Sequence, residues 1–288
     1  MRFSTDVEIR PATPDDLPGE HAVFAAAQRE LHDRHGVAWS PQPIDAFVRV
    51  HRHLLDHDGE RSFVATAGDR VVAFSAAFVR AGTWYLSALF VHPDSQGQGV
   101  GRELLEQSWG VGFEHRITIT EAIQPVSTGL YAQRGLTPTT PVLVLVGAPR
   151  AIESPLEPAE PSAGALSELD LLAYGFDRAI DHAFWAETSA SGTLWLRDGR
   201  PVAYAYVSPR GVIGPVAGED GGSAADALRA ELARRTDERS VAFVPGTASA
   251  IVKAGLESGL RFEHPGLLLL TPSQTPPRSL AIASFWLL

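Results

Sequence analysis

The chain has no cysteine among its 288 residues, which excludes disulfides, thiolate nucleophiles and cysteine-based zinc centres. Lysine occurs once, at Lys253, so arginine carries nearly all the positive charge. The net charge is −10 and is shared evenly: residues 1–149 and 150–288 each hold 12 basic and 17 acidic residues. An acidic chain without basic clusters does not suit a phosphate backbone, so nucleic acid is not expected as a partner. No run of about 18 apolar residues exists, so no membrane span is expected. The opening Met1-Arg-Phe-Ser-Thr-Asp-Val7 lacks the apolar stretch of a secretory leader. With the missing cysteine, this points to a cytoplasmic protein.

Apolar residues make up 44% of the chain, enough for a sizeable core. Residues 7–10 read as a strand. Thr13-Pro-Asp-Asp16 then opens a helix, with Thr13 as N-cap, Pro14 in the first turn and two acidic residues behind it. Helical periodicity runs to about His35, and a second helix is predicted over residues 44–55. Residues 62–67, 71–78 and 83–91 are β-rich and joined by turns at Gly68-Asp69 and Ala81-Gly82. A helix to about Gly110, a strand over 116–121, a helix over 127–134 and a strand over 142–146 follow. Residues 148–165 hold Pro149, Pro155, Pro158 and Pro161 and read as a linker. The pattern then recurs. Arg70-Val-Val-Ala-Phe74 aligns with Arg200-Pro-Val-Ala-Tyr204 at an offset of 130, and Gly135 with Gly259 at 124. Such a repeat means two similar domains, placed at 1–149 and 165–288 with a linker at 150–164.

The most informative segment is Val91-His-Pro-Asp-Ser-Gln-Gly-Gln-Gly-Val-Gly-Arg102. An apolar strand empties through Gly97, Gly99 and Gly101 into an amphipathic helix. First-turn amides have no intrahelical partner, and the helix dipole adds positive potential there. The spacing is not the dinucleotide Gly-x-Gly-x-x-Gly, and the Gly-Lys-Ser/Thr of a Walker loop is absent.

Gln96-Gly97-Gln98-Gly99-Val100-Gly101 resembles the Gln/Arg-x-x-Gly-x-Gly/Ala signature of the GNAT superfamily of acyl-CoA-dependent N-acyltransferases. Val91-His-Pro93 and Leu130-Tyr131-Ala-Gln-Arg-Gly135-Leu136 are similar to its other local patterns. The resemblance implies an α/β (α+β) fold with a mixed, splayed central sheet flanked by helices, here present twice in tandem. It implies acetyl-CoA as cosubstrate and no metal. Residues Gly97, Gln98, Gly99, Val100, Gly101 and Arg102, with Gln96, would hold the diphosphate. The main chain of Leu89, Phe90 and Val91 would pair with the pantetheine arm. Tyr131 would protonate the departing thiolate, chemistry that suits a phenol within hydrogen-bonding reach. Tyr131 also reads as a core aromatic.

The fourth strand, 83–91, lacks the carboxylate that many relatives use as a base. Gln124 stands where an asparagine is common. The base is read as Glu121 first, then His51 or His53, or water. His51, His53 and His57, with Arg49 and Arg52, read as a solvated helix face. His92 reads as a turn residue, and Trp39 and Trp84 as core. In the second copy Glu219 and Asp220 place negative charge where a diphosphate would sit. Gly255 falls opposite Tyr131, so this copy reads as degenerate. The apolar tail, residues 279–288, is expected to dock as a strand on the second domain or on a neighbouring subunit, as in a homodimer.

The expected activity is transfer of an acetyl group from acetyl-CoA to the amine of a small-molecule acceptor. A non-catalytic acyl-CoA sensor or partner-binding module is the rival.

Overall fold

The computed structural model describes residues 7–236 and 238–288. Residues 1–6, read above for a leader, lie outside them. In chain order the elements are β1 (Val7–Pro11), α1 (Leu17–His35), α2 (Ile44–Asp58), β2 (Ser62–Ala67), β3 (Arg70–Arg80), β4 (Thr83–Val91), α3 (Val100–Trp109), β5 (His115–Glu121), α4 (Pro125–Ala132) and β6 (Thr137–Gly147). They continue as β7 (Glu157–Ala159), α5 (Ala163–Ala173), α6 (Ala179–Thr188), β8 (Ser191–Arg197), β9 (Arg200–Val207) and β10 (Ile213–Gly218). The last are α7 (Gly221–Ala233), β11 (Ser240–Pro245), α8 (Ser249–Glu257), β12 (Arg261–Phe262), β13 (Gly266–Leu270) and β14 (Leu280–Ala281).

The chain divides into two compact units. One is the chain up to Thr118 with Ile123–Leu136, the other Ile119–Ala122 with Thr137–Leu288. Sequence order places β6 with the first copy. In space it pairs antiparallel with β11, β12 and β13, all of the second unit. Its length also exceeds the expected 142–146, because the ladder to β13 continues past Pro141 and Pro138 through an irregular register.

In the first unit β1 to β4 form an antiparallel meander, and β4 pairs in parallel with β5. This is the mixed sheet expected. The cap on the chain's entry is strong: Asp16 accepts from the Thr13 amide and hydroxyl, both at 2.8 Å, and binds Arg10 at 2.7 Å. The Arg10 guanidinium, followed by the Thr13 bonds, holds the Asp16 carboxyl down at about 2 despite burial. On α2, Phe47, Val50, His51 and Leu54 follow helical spacing and are buried. Arg49 and Arg52 point out, paired with Asp45 and Asp56. The solvated-face reading is therefore corrected: the arginines lie on that face, whereas His51 and His53 are buried. The apolar stripe is wider than the periodicity of its aliphatic residues suggests. Trp84 is fully buried and donates to the Ser108 carbonyl at 3.0 Å, while Trp39 is half-buried.

In the second unit β7, β8, β9, β10 and β14 form an antiparallel sheet in that order. The segment read as pure linker thus contributes β7. Pro158 is tolerated there because β7 is an edge strand. The meander β8–β10, then α7, β11, α8 and β13, reproduces the order β2–β4, α3, β5, α4, β6. The fold is therefore present in tandem. Helices α5 and α6 have no counterpart in the sequence reading. They carry a buried polar cluster. Asp170 accepts from Tyr204 at 2.5 Å and bonds His182 at 2.9 Å. Arg178 donates to Tyr204 at 2.9 Å and to the main-chain oxygen of Leu288. The tail docks as expected: β14 pairs with β10, and Leu280, Ile282 and Leu287 are buried. No described helix is long and apolar enough to cross a membrane.

Candidate active site

Strand β4 ends at Val91, and a short 3₁₀ turn at Pro93–Ser95 redirects the chain. His92 accepts from the Asp94 amide at 3.3 Å and so shapes this turn. The Gln96 side chain donates to the Val91 carbonyl at 3.1 Å, and the Gln98 side chain to the Asp94 carbonyl at 3.3 Å. These two bonds fold the loop onto itself, and residues 96–99 are exposed. Gly97 and Gly99 have φ of +73° and +90°, a region costly for any side chain. A Cβ at either would meet nothing within 4 Å, so the glycines serve backbone conformation and open space. Gly101 is different: a Cβ there would lie 3.1 Å from Val91, so it permits close packing of α3 on β4.

Gly99 caps α3 without a side chain, and its carbonyl accepts from the amides of Arg102 and Glu103 at 3.0 and 3.1 Å. The amides of residues 97–101 have no acceptor among the described residues, and they lie at the positive end of α3. The Arg102 side chain stands beside it, exposed. These residues fit a diphosphate: donors in excess, space for it, and no carboxylate engaging them.

Strands β4 and β5 pair only from Thr83↔His115 to Leu86↔Thr118. The Thr118 hydroxyl donates to the Leu86 carbonyl at 3.0 Å at the end of this ladder. Beyond it, among the described residues, no strand pairs with 87–91 on that side. A β-bulge between Ala76 and Ala77 on β3 leaves Ser87 as the extra residue of β4. The main chain of Leu89, Phe90 and Val91 thus lies along an open edge that leads to the glycine loop.

Tyr131 is buried on α4, close to Tyr85 of β4. Burial pushes its phenol pKa well up, and a hydrogen bond with Ser127 opposes this only in part. The phenol therefore stays protonated across the physiological range. Gln124 caps α4, its side-chain oxygen accepting from the Val126 amide at 3.3 Å. Tyr131 and the loop lie in the first unit. Glu121 lies in the second, where its carboxylate is 3.7 Å from His264. His51 stacks on Phe47 at 3.9 Å, and burial pushes its pKa down to about 3. Its neighbour Glu20, 3.6 Å away, is pushed up to about 8, first by burial and then by Asp16. This pair is uncharged at neutral pH and sits among aromatic rings. His53 packs edge-on against His57.

The second unit treats the equivalent place differently. Glu219 is paired with Arg200 through two bonds of 2.6 and 2.9 Å. Asp220 caps α7, accepting from the Ser223 amide at 2.7 Å, and this bond heads the causes that hold its carboxyl low. Gly255 packs against β6, where a Cβ would lie 2.7 Å from Leu145. No acid stands there.

Sequence reading missed Ser127 and Tyr85 as neighbours of Tyr131. Ser127 lies four residues before it, a helical spacing that could have revealed the contact.

Residues 24–136 match the family model described as the acetyltransferase (GNAT) family. The match to a GNAT acetyltransferase family domain is confined to those residues, and the mixed, splayed sheet with flanking helices is the fold of the acetyltransferase structures the chain resembles. Among solved structures it is similar to a candidate acetyltransferase from Pyrococcus horikoshii: 15% identity, TM-score 0.80, 100% of this chain and 97% of that one. It also resembles a GCN5-related N-acetyltransferase from Sphaerobacter thermophilus: 18% identity, TM-score 0.68, coverage 92% and 95%. A third is a tandem GNAT protein from the clavulanic acid biosynthesis pathway: 14% identity, TM-score 0.60, coverage 94% and 100%. Among curated proteins none matches the chain.

Proposed function

We propose that the chain is an acetyl-CoA-dependent N-acetyltransferase acting on a small-molecule amine, with its cofactor site in the first unit. The observation that carries this reading is the set of backbone amides of residues 97–101 at the mouth of α3, without an internal acceptor among the described residues. When bound, the cosubstrate supplies an acyl thioester. The amides of 97–101 hold its diphosphate, with Gln96 shaping the loop and Arg102 adding charge. Leu89, Phe90 and Val91 offer main-chain donors and acceptors along the open β4 edge. Tyr131 holds a proton for the sulfur that leaves as the new C–N bond forms. Water is our candidate to take the amine proton. The second copy, read as the repeat over residues 165–288, is degenerate: it lacks both cradle and phenol.

The absence of a carboxylate on β4 favours one further reading, an acyl-CoA-binding sensor without turnover. Thiol release from acetyl-CoA, followed across a panel of small amines, separates the two. Amine-dependent release supports the transferase. Cofactor binding with no release for any amine supports the sensor.

A further inference from the structure

The two units handle the same cleft in opposite ways. In the first, the parallel pairing of β4 with β5 ends at Leu86↔Thr118, and the edge of residues 87–91 faces no strand. In the second, the parallel contact of the β10 region with β11 is a single bridge, Val212↔Val241. The two strands then part, and residues from the tail fill the gap. Val216 pairs with Ala281 and Ala217 with Leu280. The Gly218 amide donates to Ser279, and the Ile282 amide donates across to Phe243 of β11, at 3.0 and 2.9 Å. The tail is therefore hydrogen-bonded to both walls. Gly218 is the last residue of β10, as Val91 is of β4, so the tail lies beside the counterparts of Leu89–Val91.

The chain is shaped for this occupant. A Cβ on Gly214 would come within 2.3 Å of the Ile282 carbonyl, and one on Gly221 within 3.1 Å of the Arg278 carbonyl. Thr247 donates to the Pro277 carbonyl at 2.6 Å, and Arg178 holds the Leu288 oxygen from within the buried α5–α6 cluster. At the head of the cleft, Asp220 places its own carboxylate on the α7 amides.

We propose that the second unit carries an internal surrogate of the cofactor. The Asp220 carboxylate stands in for the anion, and residues 279–282 stand in for the extended arm. The second cleft is closed by the chain itself, and each chain has one cofactor site. This inference rests on the reading of the first unit as the cofactor-binding one.

Hydrogen exchange on the full chain without cofactor, together with calorimetric titration with coenzyme A, tests it. The amides of Gly218 and Ile282 are expected to exchange at rates similar to those of β9. Coenzyme A is expected to bind once per chain, and Gly99→Glu is expected to remove all of that binding. Gly214→Ala is expected to speed exchange at Ile282 at least about tenfold while leaving the first-unit coenzyme A affinity within about twofold. Unprotected exchange at Ile282 in the parent chain, or unchanged exchange in Gly214→Ala, overturns the proposal. So does a second bound equivalent, or binding that persists in Gly99→Glu. No binding to the parent chain at all contradicts the cofactor site instead, and the exchange data then decide the tail by themselves.

Discussion

Thr118 ends the β4–β5 ladder by donating its hydroxyl to the Leu86 carbonyl at 3.0 Å, and the open edge of β4 begins one residue later. Both groups are buried. Thr118→Val leaves the Leu86 carbonyl without this donor in a place water does not reach. The expected cost is about 1–3 kcal/mol of stability. Urea unfolding checks it, with the midpoint falling and the slope unchanged.

Gly99 holds φ at +90° at the mouth of α3. Gly99→Ala adds strain of about 1–2 kcal/mol but no clash, since the space around it is open. Gly99→Glu adds a carboxylate beside the donors. Its coenzyme A affinity is expected to fall well over tenfold, more than about 1.4 kcal/mol, beyond any fall in Gly99→Ala. Calorimetric titration of the two variants compares them.

Tyr131→Phe removes the proton and keeps the ring. If Tyr131 is the acid, kcat falls by about 10²–10⁴ while coenzyme A affinity changes little. Ser127→Ala removes the bond that partly offsets burial. The phenol stays protonated without that bond, so the kcat profile is expected to show no basic limb from Tyr131 below about pH 10, which a pH–rate series reads.

The Glu20–His51 pair sets a pH dependence of stability. Glu20 is raised from 4.5 to about 8, so the folded chain binds the extra proton between those values, and stability falls as pH rises through that window. His51 is lowered from 6.5 to about 3, so stability also falls as pH drops below 6.5. Glu20→Gln keeps a neutral group of similar shape. The variant is expected to lose the alkaline decline between pH 5 and 8 and keep the acid one, as thermal unfolding across that range would show.

Much of the first unit was legible because its signals are local. The Thr13–Asp16 cap, the turns at Gly68-Asp69 and Ala81-Gly82, and the glycine loop each declare themselves within a few residues. What was hidden depends on distant partners. The partners of β6 lie about a hundred residues further on, and no pattern in Thr137–Gly147 names them. His51 is polar by type, yet Phe47 of its own helix and Phe74 of β3 pack on its ring, and His53 is buried as well. Helices α5 and α6 bury charged residues in pairs, so Asp170, Arg178 and His182 disguise their inner face. At the site, the loop and Tyr131 were readable as residue types. The closing of the second cleft was not, because the tail lies more than sixty residues from the strand it covers.

A structure of the full chain at saturating coenzyme A tests the central claim most directly. The account predicts diphosphate oxygens within about 3 Å of the amides of residues 97–101, at the mouth of α3 and nowhere in the second unit. A diphosphate bound elsewhere, or those amides turned inward with no diphosphate on them, would contradict it.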